Sequence, residues 1–283
     1  MIRWLRKCLL MSLAVVVVHG PGVTGGTLPD GFTDKYQPAV DKLQSLYSHA
    51  TVNGSVKRDF PRTGESYEQR YLFRAAGPKI RLDVSTISSR KGGPPVGTVE
   101  QYLATPDASY YGVGLYEAPH IDTSKELTYA EARSRIAAAF PIDQPFALGS
   151  STVLDVLRGS QVNVESVKKL THKGEKFVKI VFDQSTGNKD KPETAQSYII
   201  LSPSEGWAVR EFSKTTGQGN DQLIVRGKIS YGDTRDGVPI VDKIETWRYE
   251  GPERVCVLHE VVAVSRFVYG DPSSYTFTAD AFK

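Results

Sequence analysis

Tyr71-Leu72-Phe73-Arg74-Ala75-Ala76-Gly77-Pro78-Lys79-Ile80-Arg81-Leu82-Asp83-Val84 is the stretch from which the fold is read. Tyr67, Gln69, Tyr71 and Phe73 alternate with charged or smaller residues, and Ile80, Leu82 and Val84 alternate with Lys79, Arg81 and Asp83. A period of two is the period of a half-buried strand, and Gly77-Pro78 breaks it as a turn does. Gly64 precedes the first run. Paired strands with one apolar face are therefore predicted here.

Outward from this stretch the same pattern recurs. Upstream, Tyr36, Val40, Leu43 and Tyr47 fall on one face of a helix predicted over 34–48. Downstream, the Gly-Gly-Pro-Pro segment within 90–95 is a loop, and strands are predicted at 98–104 and 109–114. The middle differs. Residues 128–140 have helix-forming composition. Leu127 and Thr128 supply a staple and an N-cap, and Glu131 holds the capping-box position. A short helix is predicted over 151–157, closed by Gly159. Strands then return near 162–170, 175–183, 195–202, 207–215, 222–231, 239–249 and 254–268, separated by Gly- or Pro-bearing turns.

About a dozen strands with short connections imply antiparallel neighbours. A large antiparallel sheet must curl, close or split. The fold predicted is mainly β, with one strongly curved antiparallel sheet whose concave face is covered by the few helices. Two packed sandwich sheets are the alternative. No boundary is visible after the leader, so residues 27–283 are expected to form a single domain.

Residues 1–26 read as a secretory signal peptide. Arg3, Arg6 and Lys7 precede an apolar run from Cys8 to Val18, and small residues follow, with Val23 and Gly25 suited to the cleavage site. As a helix that run is roughly 16 Å long, against about 30 Å for a bilayer core. The chain is expected to be exported, to the periplasm or an equivalent compartment, and to be soluble once mature. Cys8 opens the apolar run instead of standing at the cleavage site, so lipidation is not expected. Loss of the leader leaves Cys256 as the single cysteine, and no internal disulfide is expected.

The net charge of +3 resides in the leader: 35 Lys and Arg face 32 Asp and Glu, and three of the positives precede the first acid, Asp30. A neutral remainder without basic runs lacks the electrostatic footprint of a nucleic-acid binder. The four later histidines, His49, His120, His172 and His259, show no short-range metal spacing. No G-x-S-x-G elbow, Walker loop or G-x-G-x-x-G is present. No cofactor, metal or catalytic residue is therefore assigned, and the chain is expected not to be an enzyme. A hydrolase, with His120 beside Asp122 or His259 with a distant acid, is the least favoured reading.

Aromatic residues stand out instead: 14 Tyr, 11 Phe and 3 Trp, spread along strands. A curved sheet under a thin helical cover leaves space on its concave side. Tyr71, Phe73, Ile80, Leu82 and Tyr102 are the sheet residues predicted to line an apolar cavity there, opposed by Ile136, Phe140, Leu154 and Leu157 from the middle helices. The assignment follows from strand register, because a slip of one residue turns every side chain to the other face.

A leading helix, then Val56-Lys57-Arg58-Asp59-Phe60, a Gly-bearing turn and the 71–84 stretch resemble the opening hairpins of the LolA/LolB-like lipoprotein-carrier superfamily. The later blocks 207–212, 223–231 and 240–247 are similar to that family's later meander. The resemblance covers most of the mature chain in layout and only these stretches in motif. It implies a half-barrel of eleven strands capped by helices, with an apolar cavity that takes up acyl chains of lipids or lipoproteins. It also implies an arginine before the Pro turn that holds the lid shut. Arg74 stands four residues before Pro78, so its match is shifted. The expected partners are lipid or lipoprotein acyl chains and a membrane-associated protein, with the chain itself a monomer. The competing reading is a sensory or interaction module on the same fold, its interior filled by its own side chains.

Overall fold

The computed structural model describes residues 28, 31–115, 125–148, 151–159, 162–184, 195–217 and 219–278. The leader assigned to 1–26 lies outside them. Helix α1 (Phe32–Tyr47) is followed by β1 (Ala50–Phe60), β2 (Glu65–Ala76), β3 (Lys79–Arg90), β4 (Thr98–Ala104), β5 (Ser109–Leu115) and the two-residue β6 (Lys125–Glu126). A middle segment then holds α2 (Tyr129–Ala139), the small β7 (Ala147–Leu148) and β8 (Ser151–Thr152), and α3 (Val153–Arg158). The chain ends in β9 (Val162–His172), β10 (Glu175–Gln184), β11 (Ala195–Ser202), β12 (Ala208–Thr216), β13 (Leu223–Arg235), β14 (Val238–Glu250) and β15 (Val255–Tyr269).

Thirteen of these strands form one open antiparallel sheet in the order β6-β5-β4-β3-β2-β1-β15-β14-β13-β12-β11-β10-β9. Twelve are longer than two residues, where the family resemblance implied eleven. The sheet is two meanders joined where the first strand pairs with the last: Ala50 lies opposite Tyr269 and Asp59 opposite His259. A bulge sits between Asn53 and Gly54, where a Cβ on Gly54 would overlap the Ala263 carbonyl oxygen. Residue type and backbone agree there, because only glycine leaves room for that approach.

The hairpin read from the sequence is present as β2–β3, with Phe73 opposite Leu82 and Tyr71 opposite Val84. Gly77 turns it at φ 60°, which costs glycine nothing. Tyr71, Phe73 and Ala75 are buried on one face, as are Leu82 and Val84. The alternation fixed the faces correctly because a strand's side chains point alternately to its two sides.

β6 is one edge of the sheet and β9 the other, and the middle segment stands between them in the chain. Ala132, Ile136, Phe140, Ile142, Leu148, Val153, Leu154 and Leu157 are all buried in one cluster with Tyr71, Phe73, Leu82, Ile180, Phe182, Ile199 and Ile244 of the sheet. Helix α1 joins the same cluster through Tyr36, Val40, Leu43 and Tyr47, the face the 3.6-residue period predicted. The capping box predicted at Thr128 and Glu131 is formed, with both reciprocal hydrogen bonds. No helix among the described residues is long and apolar enough to cross a membrane.

Candidate functional site

Each predicted lining residue can now be placed. Tyr71, Phe73, Leu82, Tyr102, Ile136, Phe140, Leu154 and Leu157 belong to the buried cluster, and Ile80 packs against it, half-buried. They meet as packed side chains. The Tyr71 ring stacks on Phe140 at 5.0 Å between centroids, and Phe73 lies 5.9 Å from the same ring. Phe140 is 1% exposed and Ile136 3%. The sheet and α2 thus interlock through an apolar layer around Phe140.

Polar groups fasten this layer at both ends of α2. At its start, the Tyr129 hydroxyl donates to the carbonyl of Pro78, in the β2–β3 turn (2.8 Å). At its end, Arg58 of β1 reaches across and donates from Nη2 to the carbonyl of Ala139 (2.9 Å). That carbonyl is one of those a helix leaves without an internal partner, and a cation there also meets the negative end of the helix dipole. Midway, Arg135 lies over the Tyr111 ring at 5.3 Å, and the hydroxyls of Tyr102 and Tyr111 both donate to Glu100.

Arg58 is the centre of the arrangement. Its Nε donates to Glu260 of β15 (2.5 Å), and Nη1 donates to Gln69 Oε1 (3.1 Å) and to the Tyr71 hydroxyl oxygen (3.3 Å). The Tyr71 hydroxyl itself donates to Gln69 Oε1, and Gln69 Nε2 donates to Thr86. The side chains of Arg58 and Glu260 are only 12% and 11% exposed. Burial opposes the charge on Arg58, but Glu260 and the nearby tyrosines outweigh it, so the guanidinium is held above its ordinary pKa. Burial pushes the Tyr71 phenol up as well, so it stays protonated and able to donate. Charge, amide and phenol form one connected network on β1, β2, β3 and β15, and a single arm of it extends to α2.

The arginine whose hydrogen bond reaches α2 is Arg58, and Arg74 pairs within the sheet. Arg74 follows Phe73 in the strand and therefore points to the opposite face, where it donates to Asp83 (2.6 Å), as do Arg81 and Gln101. In the sequence Arg58 stands only as part of the 56–60 stretch that carries the resemblance, with no role of its own assigned.

On the face away from the helices lies an open groove of about 590 Å³ bordered by Asn53, Ser55, Leu72, Asp83, Ser85 and Ile87. Tyr71 is the one predicted lining residue that borders it. Of the residues weighed for hydrolysis, His120 and Asp122 lie outside the described residues. His259 stacks on Trp247 (5.3 Å, 8°) and shares a 3.0 Å hydrogen bond with Glu245, which also pairs with Lys243. Among the described residues no three His, Cys, Asp or Glu side chains converge as a metal would need. Cys256 is a free thiol, partly exposed.

No family model and no curated protein sequence matches the chain. Solved structures do match it in layout, all at low identity. A DUF1329 family protein from Desulfovibrio piger is 12% identical, over 90% of this chain and 100% of that one, with a TM-score of 0.47. A LolA superfamily protein from Nitrosomonas europaea is 12% identical over 87% and 99%, with a TM-score of 0.44. Mycobacterium tuberculosis lipoprotein LppX is 10% identical over 84% and 98%, with a TM-score of 0.26.

Proposed function

We propose that the chain is an exported, non-enzymatic carrier that takes up the acyl chain of a lipid or lipoprotein between its sheet and helix α2. In this reading residues 27–283 act as one unit, with the sheet curved into a half-barrel and the helices on its concave side. The observation that carries the proposal is the Arg58 contact to the Ala139 carbonyl. An apolar interface as tight as that around Phe140 needs no charge to hold it, and burying an ion pair yields little net stability. A charged fastening at the end of a helix does give a contact that breaks as one unit. Its release frees α2 to swing out and present Tyr71, Phe73, Ile136 and Phe140 to a ligand.

The energetics fit a reversible carrier. An acyl chain of about 14 carbons gains about 10 kcal/mol gross on burial at about 0.8 kcal/mol per methylene, before ordering costs. Part of that is returned in separating α2 from the sheet, which leaves a net affinity of the order needed for uptake and release. The leader supports an exported setting, where such a ligand meets a membrane-associated donor or acceptor.

The packing around Phe140 also favours a second reading, an interaction module whose interior is permanently filled. Titration with a fluorescent fatty acid separates the two. The carrier takes up the probe with saturable, one-to-one stoichiometry, and Ile136→Glu, checked for folding by circular dichroism, takes up none. Absence of uptake by the wild-type protein, or equal uptake by a folded Ile136→Glu variant, selects the interaction module.

A further inference from the structure

β9 and β10 form the far edge of the sheet, and their hairpin continues beyond the core. The last buried residue on β10 is Val178, and residues 168–176 are exposed without interruption. The turn is built by Lys173 (φ 50°) and Gly174 (φ 84°), the two left-handed residues of a tight hairpin. The composition of this tip is unlike the rest of the chain. Residues 166–180 contain Lys168, Lys169, Lys173, Lys176 and Lys179 against one carboxylate, Glu175, whereas the chain beyond its leader is neutral.

Register spreads these cations over both faces. Lys168 lies opposite Lys179 on one face, and Lys169 lies opposite Val178 and Lys176 opposite Thr171 on the other. Between the lysines, Leu170 and Phe177 are directly opposed, with Leu170 37% exposed. Among the described residues none of Lys168, Lys169, Lys173 and Lys176 stands in an ion pair. Lys179 lies over the Tyr198 ring at 4.3 Å. The tip is therefore a narrow two-stranded wedge, with an apolar pair at its flank and a ring of uncompensated ammonium groups.

We propose that the tip of the β9–β10 hairpin docks the protein on an anionic lipid bilayer. Lysine stems lie along apolar surface while their heads stay in the polar layer, so Leu170 and Phe177 enter the interface as the ammonium groups meet headgroup phosphates. Cations on both faces of a wedge suit a medium that surrounds it, whereas an acidic protein partner would meet one face. The proposal stands apart from acyl uptake: it concerns the opposite sheet edge from β6, and it reads out as vesicle binding with the interior empty or full.

The test is sedimentation of the protein with sucrose-loaded vesicles, either phosphatidylglycerol and phosphatidylcholine in equal parts or phosphatidylcholine alone. Each lysine near an anionic surface contributes about a fivefold change in binding. The protein should bind the anionic vesicles at low salt, release them at high salt, and leave phosphatidylcholine vesicles unbound. Lys168→Gln/Lys169→Gln/Lys173→Gln/Lys176→Gln, folded by circular dichroism, should bind about 600-fold more weakly. Lys168→Gln/Lys169→Gln, at about 25-fold, serves if the quadruple variant misfolds. The control Lys35→Gln/Lys228→Gln, exposed and elsewhere, should bind as the wild type does. Unchanged binding by the folded tip variants overturns the proposal, as does equal binding to both vesicle types. Binding to polyglutamate with no binding to vesicles also overturns it and assigns the tip to an acidic protein.

Discussion

Removing Arg58 tests whether α2 is a cover or simply part of the core. Arg58→Leu alone is a poor probe, because it strands Glu260, whose side chain is 11% exposed. An uncompensated buried charge costs about 3–5 kcal/mol and would destabilise the whole fold. The informative variant is Arg58→Leu/Glu260→Leu, which removes both charges and keeps the volume apolar. Gln69 and Tyr71 retain each other as partners at 3.2 Å. What α2 then loses is the hydrogen bond from a charged donor to the Ala139 carbonyl, worth about 1.5–3 kcal/mol. Opening of α2 should become about 10- to 150-fold more populated. Hydrogen–deuterium exchange read by peptide mass spectrometry measures this directly. Amides of α2 should exchange faster by that factor while those of β14, in the sheet centre, keep their protection, and the fluorescent fatty acid should enter faster. Equal loss of protection in α2 and β14, or none in α2, refutes the latch.

Three further outcomes follow from the same geometry. Burial raises the Asp143 carboxyl to about 6, partly offset by its own backbone hydrogen bond and by Arg133. Since the folded pKa is the higher one, the stabilisation is complete below the unfolded value of 3.8 and is lost as pH rises to about 6. Urea midpoints for wild type minus Asp143→Asn should fall over that window and be flat above it; a rise there contradicts the burial. Gly227→Ala should destabilise by about 1–3 kcal/mol, because its Cβ would overlap the Phe212 ring that covers it, and a thermal melt equal to wild type would show that the ring moves freely. Thr128→Ala should cost about 1 kcal/mol through the capping box, confined to α2 in exchange experiments, and a global loss would show that α2 does not open on its own.

Much of the architecture was legible because it rests on local periodicity. β4 and β11 occupy the residues that alternation predicted, α2 starts at the cap that Thr128 and Glu131 specify, and the four α1 residues at helical spacing are all buried, with Phe32 and Leu46 beside them. Pairing between β1 and β15 was not legible, since residues 50–60 and 255–269 are about 200 positions apart and nothing in either run names its partner. The role of Arg58 was not legible for the same reason: only its long-range neighbours, namely Glu260, Gln69, Tyr71 and Ala139, make it the buried centre of a network. Composition hid the lysine tip in the same way: a neutral total conceals a +4 hairpin until burial shows which residues stand clear of the core.

The measurement that bears most directly on the acyl-carrier account is native mass spectrometry of the protein purified from the exported fraction, followed by lipid extraction. The account predicts a mature chain lacking residues 1–26, carrying one copy of an acyl-bearing molecule that appears in the extract and is released when the complex is activated. A mature chain that is always bare, and that still takes up no fatty acid after Arg58→Leu/Glu260→Leu has freed α2, would contradict it.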